Sequence, residues 1–240
     1  MTCEIIIRQA REEDAAQRAE LIQIGLLSHQ WNAFIYFLFQ ELTLEAVLLV
    51  GAVLFIFCGA SPVACITLVP AAAAIVALAV SVTHHSLASS HKKNMQQEQF
   101  GVVAEMRGPL GLEVPKDCVP VRTMLQQVSQ PTQHVHAKLV GTVSVSEFHG
   151  PGDALWLHSL SVHPQWRRRG AGRALLWAAR RLAAASGQRA LEALTSELQP
   201  EARALLHSLG WELRGTYERP LVGAALVLPL ARLGLDLPYA

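Results

Sequence analysis

Charged side chains are scarce in this 240-residue sequence: they make up 16% of it, where soluble proteins usually have about 25%. The formal net charge is +1, so no overall electrostatic field favours nucleic acid as a partner. The four cysteines form no CxxC pair and no short-spaced pattern with histidine, which argues against a disulfide framework and a metal site. No early apolar run follows the N-terminus, so we do not expect a cleaved signal peptide.

Charge is absent altogether from position 46 to position 82, a stretch of 37 residues. This length exceeds the roughly 20 residues that one membrane-spanning helix needs. A turn signal with glycine and proline at 59–62 divides the stretch, so the sequence predicts two apolar helices, 42–58 and 63–82. We interpret them as a hairpin that enters and leaves a membrane on the same side, by spanning it twice or by re-entering.

A buried helical pair inside a soluble protein is the alternative interpretation of this stretch. Both helices would then be apolar on every face and would have to be wrapped by the other roughly 200 residues, which can hardly supply that cover. Lys92 and Lys93 follow the second helix, whereas the turn holds no lysine or arginine. By the positive-inside rule both flanks would be cytosolic. The sequence therefore favours a membrane hairpin.

The segment 160–176 has the order strand, short loop, glycine-containing turn and helix. An apolar stripe that includes Leu175 and Leu182 predicts the helix, and Gly187 is a suitable C-terminal cap. The first backbone N–H groups of such a helix have no intrahelical partners, and together with the helix dipole they form an anion site. Because Gly170 and Gly172 lack a Cβ atom, a phosphate can approach the backbone closely. The pattern predicts a pyrophosphate bound across a helix N-terminus.

This turn resembles the acetyl-coenzyme A motif R/Q-x-x-G-x-G/A of the GNAT acetyltransferases, in which the motif also follows a strand directly. The resemblance implies that the backbone of the preceding strand pairs with the pantetheine arm of acetyl-CoA. The residues it assigns to the cofactor are Leu160, Val162, Arg167, Arg168, Arg169, Gly170, Ala171, Gly172 and Arg173. The arginines alone could hold a nucleic-acid phosphate, but no aromatic stacking platform or broad basic stripe accompanies them, so we expect no nucleic acid.

A second block supports the likeness. A strand is predicted at 191–195, followed by a helix that begins near Pro200 and ends at Gly210. GNAT proteins have at this place a helix that ends in Gly-Phe or a similar pair, and here the pair is Gly210-Trp211. The matching region runs from 139 to about 217, with weaker likeness at 1–30 and 100–106. It implies an α+β fold with a mixed, mostly antiparallel sheet flanked by helices and an inserted hydrophobic helical hairpin.

The domain organisation follows from these elements. We expect residues 1–41 to form the N-terminal strand and helix of the GNAT domain, 42–83 the membrane hairpin, and 84–240 the main acetyltransferase domain, with an irregular insertion at 109–138. A hairpin after the first helix is similar to the camello-type, or N-acetyltransferase 8, group of membrane-bound GNAT enzymes. That likeness implies an endomembrane location, the endoplasmic reticulum, and acceptors such as small amino acids, cysteine conjugates or lysine side chains.

Acetyl transfer to an amine calls for a general base and an acid. Many GNAT enzymes take the acid from a tyrosine four residues before the Gly-Phe pair, and that position here is Leu206, which cannot donate a proton. His158 is the favoured base, because an imidazole with a pKa near 6.5 suits proton transfer at neutral pH. Strand alternation also predicts that the His158 side chain lies on the same face of the sheet as those of Leu160 and Val162. A packed histidine without a catalytic role is the alternative. The weaker options and cleft residues are Glu105, Glu147, Asp153, Thr195 and Gln199.

Two functional hypotheses result. The first is a membrane-bound N-acetyltransferase that transfers the acetyl group of acetyl-CoA to a primary amine. The second is a catalytically weak or inactive GNAT-like protein that binds an acyl-CoA, or only partners, at a membrane. Leu206 favours the second hypothesis, and the intact glycine turn favours the enzyme.

Overall fold

The computed structural model describes residues 4–95, 97–108, 121–123, 136–148, 150, 154–222 and 226–237. Its strands form one sheet in the spatial order β3-β1-β2-β4-β5-β6-β8-β7. The strands are β1 (Glu4–Gln9), β2 (Phe100–Gly108), β3 (Val121–Thr123), β4 (His136–Glu147), β5 (Ala154–Val162), β6 (Ala190–Ser196), β7 (Glu212–Val222) and β8 (Leu226–Asp236). The β1–β3 and β5–β6 pairs are parallel, and the other five neighbouring pairs are antiparallel.

Helices cover both faces of this sheet. They are α1 (Ala15–Leu27), α2 (Gln30–Leu38), α3 (Glu41–Cys58), α4 (Pro62–Ile66), α5 (Leu68–Met95), α6 (Ala171–Ala185) and α7 (Pro200–Ser208). The α6 helix packs on one face of strands β2, β4 and β5, and α1 packs on β4 and β5 from the other face. The predicted α+β fold with a mixed, mostly antiparallel sheet flanked by helices is confirmed.

The main hydrophobic core lies between α6 and the sheet. Leu175 and Ala179 on the inner side of α6 are fully buried against alternate residues of two central strands. These strand residues are Val143 and Val145 of β4 and Leu155 and Leu157 of β5. Each buried leucine or valine stabilises the fold by about 1.5–3 kcal/mol relative to leaving it exposed. The core thereby fixes β5 beneath the N-terminal end of α6.

The opposite face of the sheet, covered by α1, is polar at its centre. Arg18 of α1 is only 3% exposed. Its guanidinium donates hydrogen bonds to Thr142 Oγ1 and Ser144 Oγ of β4, each at 2.9 Å, and to Glu98 Oε2 at 2.7 Å. A buried arginine is tolerated when its charge is paired and its donors are bonded, and both conditions are met here.

A glycine brings α1 into direct contact with β5. A Cβ atom at Gly25 would lie 2.3 Å from Ser161 Oγ, which is too close for any two such atoms. The same hydroxyl donates to the carbonyl oxygen of Leu21 at 2.8 Å. Glycine inside a helix costs about 1 kcal/mol relative to alanine, so this close packing is the physical reason for its presence. Helix α1 is thereby held against the carboxyl-terminal half of β5.

The predicted pair of apolar helices is confirmed. Helix α3 ends at Gly59, whose backbone is left-handed with φ 62°, and α4 begins where Ser61 Oγ accepts a hydrogen bond from the Ala64 N–H at 3.3 Å. No residue of α3 is buried. Within the described residues, two segments are long and apolar enough to cross a membrane by length and composition: Glu41–Cys58, with mean hydropathy 2.2, and Pro62–His91, with mean hydropathy 2.6.

The second helix is longer than the predicted segment 63–82. Helix α5 begins at Leu68 and tolerates Pro70 because the first turn of a helix needs no intrahelical N–H donor. It continues without interruption to Met95, past the predicted domain boundary at 83/84. Its inner side packs against the folded domain, where Val80 is buried together with Phe37 of α2 and Leu228 of β8. One helix is therefore shared by the hairpin and the domain.

Part of the segment predicted as an irregular insertion, 109–138, is regular. Strand β3 pairs with β1, and β4 begins at His136. The rest of the insertion, 109–120 and 124–135, lies outside the described residues, as does Asp153. At the other edge of the sheet β7 and β8 pair as an antiparallel hairpin, so the chain beyond Tyr217 completes the sheet.

Candidate active site

The predicted anion turn lies at the N-terminal end of α6. After β5 the chain passes through a short 3-10 helix, Pro164–Trp166, and reaches Gly170, which precedes α6 with φ 84°. The carbonyl oxygen of Gly170 accepts the first helical bond, from the Ala174 N–H at 3.0 Å. Helix geometry leaves the N–H groups of Ala171, Gly172 and Arg173 without intrahelical partners. Three donors and the positive end of the helix dipole are thus available to an anion.

The two glycines of the turn differ in what surrounds them. A Cβ atom at Gly170 would meet nothing within 4 Å, so this position is open although its positive φ strains any other residue. At Gly172 a Cβ atom would lie 3.2 Å from Leu205 Cδ2 of α7 and 3.8 Å from Val162 Cγ2 of β5. Gly172 therefore allows close packing of three elements, and Gly170 leaves the backbone accessible to a phosphate.

The arginines of the turn divide into two kinds. Arg168, with φ 63°, and Arg173 are exposed beside the helix N-terminus and are available to an anion. Arg167 is engaged within the protein, because its guanidinium donates to the Val162 carbonyl at 3.1 Å and to Ser28 Oγ at 2.7 Å. Arg169 lies over the ring of the buried Trp166, 4.9 Å from its centroid. Arg167 thus ties the turn to the C-terminal end of α1.

Strands β5 and β6 pair at one end only. Their parallel ladder runs from Ala154–Ala190 to Leu157–Ala193, although β5 continues to Val162 and β6 to Ser196. On its other side β5 keeps its pairing with β4 as far as Val162. The carboxyl-terminal halves of β5 and β6 therefore diverge beside the glycine turn, which leaves the β6-facing backbone edge of Leu160 without a ladder partner. The two strands that the predicted pantetheine site needs thus have an opening between them.

A bulge in β5 corrects the predicted orientation of His158. Ser159 has a left-handed backbone, φ 55°, and the pairing with β4 shifts by one residue between Thr142 and Ser144. Simple alternation fails across such an extra residue. Leu160 and Val162 consequently pack on the α6 face with the main core, whereas His158 lies opposite Ser144 on the α1 face. The predicted placement of His158 on the same face as Leu160 and Val162 is therefore wrong.

His158 is part of a chain of hydroxyl and imidazole groups. Its Nε2 atom lies 2.8 Å from Ser146 Oγ, and its Nδ1 atom lies 2.9 Å from Ser159 Oγ. Ser159 Oγ in turn lies 3.0 Å from His91 Nδ1 of α5. Burial, aided by the neighbouring His91 imidazole, lowers the pKa of His158 to about 4. The imidazole is therefore uncharged at neutral pH and can accept a proton, though as a weaker base than an ordinary histidine.

The other predicted acid–base groups have different surroundings. Leu206 of α7 is fully buried in the main core. Glu105 accepts hydrogen bonds from Arg8 and Arg107; burial acts to raise the pKa of Glu105, but these bonds outweigh it and lower the pKa below its usual range. Glu147 is exposed and accepts from Gln99 Nε2 at 3.1 Å. Of these carboxylates, the buried Glu105 is thus committed to ion pairs that hold β1 and β2.

The two predicted cleft residues lie near the divergence of β5 and β6. Thr195 of β6 is 4% exposed, and its Oγ1 atom has no hydrogen-bond partner. Gln199, just before α7, lines a cavity of about 140 Å³ on the α1 face. Within the described part of the chain, no group of three or more histidine, cysteine, aspartate or glutamate residues is placed to hold a metal ion.

Sequence reasoning missed the contribution of α5 to this region. His91 and the wall of the cavity come from residues 75–91, of which the hydrophobic pattern assigned 75–82 to a membrane helix. One signal was present: histidines at 84, 85 and 91 continue a helical pattern beyond the apolar run. The bulge at Ser159 had no comparable signal, because serine neither requires nor specifies a left-handed backbone.

The part of the chain that contains the turn is similar to a family of known proteins. Residues 131–211 match the family described as Acetyltransferase (GNAT) family. No curated protein matches the chain. Similar solved structures include the ribosomal-protein-S18-alanine N-acetyltransferase of Escherichia coli, which is 21% identical to this chain. The match covers 43% of this chain and 64% of that chain, with a TM-score of 0.37. The chain thus spans less than two thirds of that enzyme's length.

Two further structures are similar over more of the chain. The protein yncA of Salmonella typhimurium, solved with acetyl-CoA, shares 15% identity over 65% of this chain and 74% of its own, with a TM-score of 0.42. A GNAT-family protein of Desulfovibrio desulfuricans shares 13% identity with this chain. The match covers 97% of this chain and 98% of that protein, with a TM-score of 0.47. These likenesses are too distant to carry information about substrates. The family match covers about a third of the chain, and the matched segment contains the glycine turn and helix α6.

Proposed function

We propose that this protein is a membrane-anchored N-acetyltransferase that transfers the acetyl group of acetyl-CoA to a primary amine. The observation that carries the proposal is the open glycine turn at the N-terminus of α6, which lies beside the divergence of β5 and β6. The N–H groups of Ala171, Gly172 and Arg173 would bind the pyrophosphate, with Arg168 and Arg173 adding positive charge. The free backbone edge at Leu160 would pair with the pantetheine amides.

Acetyl-CoA supplies a thioester whose carbonyl carbon the neutral amine attacks. The new C–N bond forms as the C–S bond breaks, and the amine nitrogen then loses one proton. His158 is our proposed acceptor for that proton, directly or through the hydroxyl of Ser159 or Ser146. Leu206 offers no proton to the thiolate, so the thiolate of coenzyme A would take its proton from solvent. This arrangement implies direct transfer without an acyl-enzyme intermediate.

The location and the acceptor complete the proposal. The apolar helices α3 and α5 support a membrane hairpin by their length and hydropathy, because each contains at least 18 residues and α3 is unburied in the protein. The resemblance to the camello-type group supports the endoplasmic reticulum as the membrane and a small amino acid, a cysteine conjugate or a lysine side chain as the acceptor. In this arrangement α5 leads from the bilayer directly to Ser159.

The cofactor site is tested by calorimetry of acetyl-CoA binding to detergent-purified protein. We expect Gly170→Trp to weaken binding by about tenfold or more, because the side chain would occupy the space that the phosphates need. Gly187→Trp is the matched control: Gly187 has φ 77°, also has nothing within 4 Å of a Cβ atom, and ends α6 at the far end from the turn. Equal binding by both variants would contradict the proposed site.

A second candidate function is favoured by Leu206, whose burial leaves no side-chain acid at the position where many GNAT enzymes use tyrosine. In that case the protein would bind acetyl-CoA without useful turnover. Measuring acetylation of a mixture of amino acids and alkylamines by the wild type separates the two functions. Binding without any acetylated product would favour the second, whereas turnover abolished by Gly170→Trp and kept by Gly187→Trp would favour the enzyme.

A further inference from the structure

A cavity of about 140 Å³ lies between the membrane helix α5 and the acetyltransferase domain. Helices α1 and α2, the end of β6 and the start of β8 supply its other walls. Its lining is mainly apolar and includes Phe37, Val76, Val80, Leu198 and Leu228. A cavity of about 150 Å³ can hold a molecule the size of benzene. The cavity therefore suits a small apolar group.

The two ends of the cavity differ in polarity. Along α5 the lining begins with Ile75 and Val76, in the middle of the apolar segment, reaches Thr83 and His84 about two turns later, and ends at Leu87. His29 completes the polar end, and its electrostatic neighbours are Arg167, Glu201 and His84. Because Arg167 belongs to the glycine turn, the polar end of the cavity faces the proposed cofactor site and the apolar end faces the membrane segment.

The wall formed by β6 connects the cavity with the divergence of the two strands. Ser196 and Gln199 line the cavity, and both follow Ala193, where the pairing of β6 with β5 ends. On α5 the lining face continues from Leu87 by one further turn to His91, which contacts the bulge at Ser159. The cavity thus lies beside the elements that lead to the divergence of β5 and β6 and to the bulge at Ser159.

We propose that this cavity binds an apolar substituent of the acceptor amine, so that the preferred acceptors are primary amines carrying an apolar group of about six carbons. The inference rests on the proposed acetyl transfer and names the substrate class for that site. The amine lies at the polar end, near Gln199 and His29, and its apolar group extends toward Phe37 and Val76. Burial lowers the pKa of His29, which keeps that imidazole uncharged and avoids repulsion of an incoming ammonium group.

The test compares ethylamine, hexylamine and octylamine as acceptors with acetyl-CoA and detergent-purified protein. A buried methylene contributes about fourfold to an equilibrium or rate constant, so we expect kcat/KM for hexylamine to exceed that for ethylamine by at least about tenfold. Ala79→Phe fills the cavity and should reduce this hexylamine-to-ethylamine ratio toward one. Ala77→Phe is the matched control, because Ala77 lies on the same helix, is exposed and does not line the cavity.

A third variant distinguishes an effect of the cavity from an effect of misfolding. Val76→Ala enlarges the apolar end, so we expect it to raise the preference for octylamine over hexylamine about fourfold or more, a gain that damage to the fold cannot produce. If the wild type acetylates no amine, calorimetry of hexylamine binding in the presence of acetyl-CoA still tests the cavity. Binding by the wild type and Ala77→Phe but not by Ala79→Phe would then support the site while the proposed transfer fails.

Two results would overturn the inference. Equal kcat/KM for ethylamine and hexylamine, unchanged by Ala79→Phe, would mean that the cavity is only a packing gap beside the membrane helix. If Ala79→Phe instead altered the preference between acetyl-CoA and hexanoyl-CoA with ethylamine as acceptor, the cavity would bind the acyl chain of the donor.

Discussion

The two faces of the central sheet are built on different principles. On the α6 face, alternate residues of β4 and β5 are aliphatic and meet Leu175 and Ala179 in a continuous apolar core. On the α1 face the same strands present Thr142, Ser144, Ser146 and His158, and a buried arginine bonds to the first two. The first face gains stability from burial alone, whereas the second depends on every polar group keeping its partner.

The two faces therefore have different roles: one stabilises the fold, and the other carries the titratable side chains. The aliphatic face holds the glycine turn through the packing of α6, and substitutions there would act mainly on stability. The polar face carries the groups that can exchange protons, and it is also the face that the apolar helix α5 reaches at His91. At the bulge at Ser159 the alternation of β5 reverses, so that His158 lies on the polar face and Leu160 on the aliphatic face.

The largest expected effect comes from removing the arginine at the centre of the polar face. Arg18→Met would leave the carboxylate of Glu98 and two hydroxyl groups without their partner, and breaking a buried ion pair in this way costs about 3–5 kcal/mol. For a chain of this size that corresponds to a fall in Tm of about 10 °C, measured by thermal unfolding in detergent. Arg11→Met is the control, because the Arg11–Glu13 pair is exposed and should change Tm by less than about 3 °C. Similar losses for both variants would argue against a buried network.

A smaller effect is expected when the histidine of the polar face is replaced. The folded-state pKa of His158 is about 4, below its unfolded value near 6.5, so the unfolded chain binds more protons between these pH values. The wild type should therefore lose stability as pH falls from 6.5 toward 4, by at most about 1.4 kcal/mol per pH unit, and show no contribution from this group above 6.5. His158→Gln should flatten that slope. Identical pH dependence of Tm in the two proteins would show that His158 titrates normally.

The smallest expected effect tests the contact between α1 and β5. Alanine at position 25 gains about 1 kcal/mol in helix propensity but meets Ser161 Oγ, and such overpacking costs about 1–3 kcal/mol. We expect Gly25→Ala to be destabilising by about 1 kcal/mol in the wild type. In a Ser161→Ala background the clash is relieved, so the same substitution should become neutral or stabilising. A double-mutant cycle on thermal unfolding measures this change, and simple additivity would contradict the close approach.

The elements that sequence analysis predicted well are those encoded locally. The glycine turn, the helix after it and the two apolar helices each depend on neighbouring residues, and all are present as α6, α3 and α5. The polar face could not be predicted in this way, because Arg18 and Thr142 are 124 positions apart and His91 and Ser159 are 68 apart. The wrong face for His158 has the same origin: one extra residue in β5 reverses the alternation, and its sequence carries no mark of it.

The length of α5 limits how far the domain can lie from a membrane that holds this helix. Its 28 residues extend about 42 Å, whereas the hydrocarbon core of a bilayer is about 30 Å thick. Val80, which packs against Phe37 and Leu228 of the domain, lies only about 18 Å from the start of α5, so a full span by α5 would bring those residues into the bilayer. If α5 inserts into a membrane, the domain is therefore held at the lipid surface, and because Val80 and Phe37 lock the helix to the domain, it could not swing away. Acceptors concentrated in that thin interfacial layer would be sampled far more often than those in bulk solution.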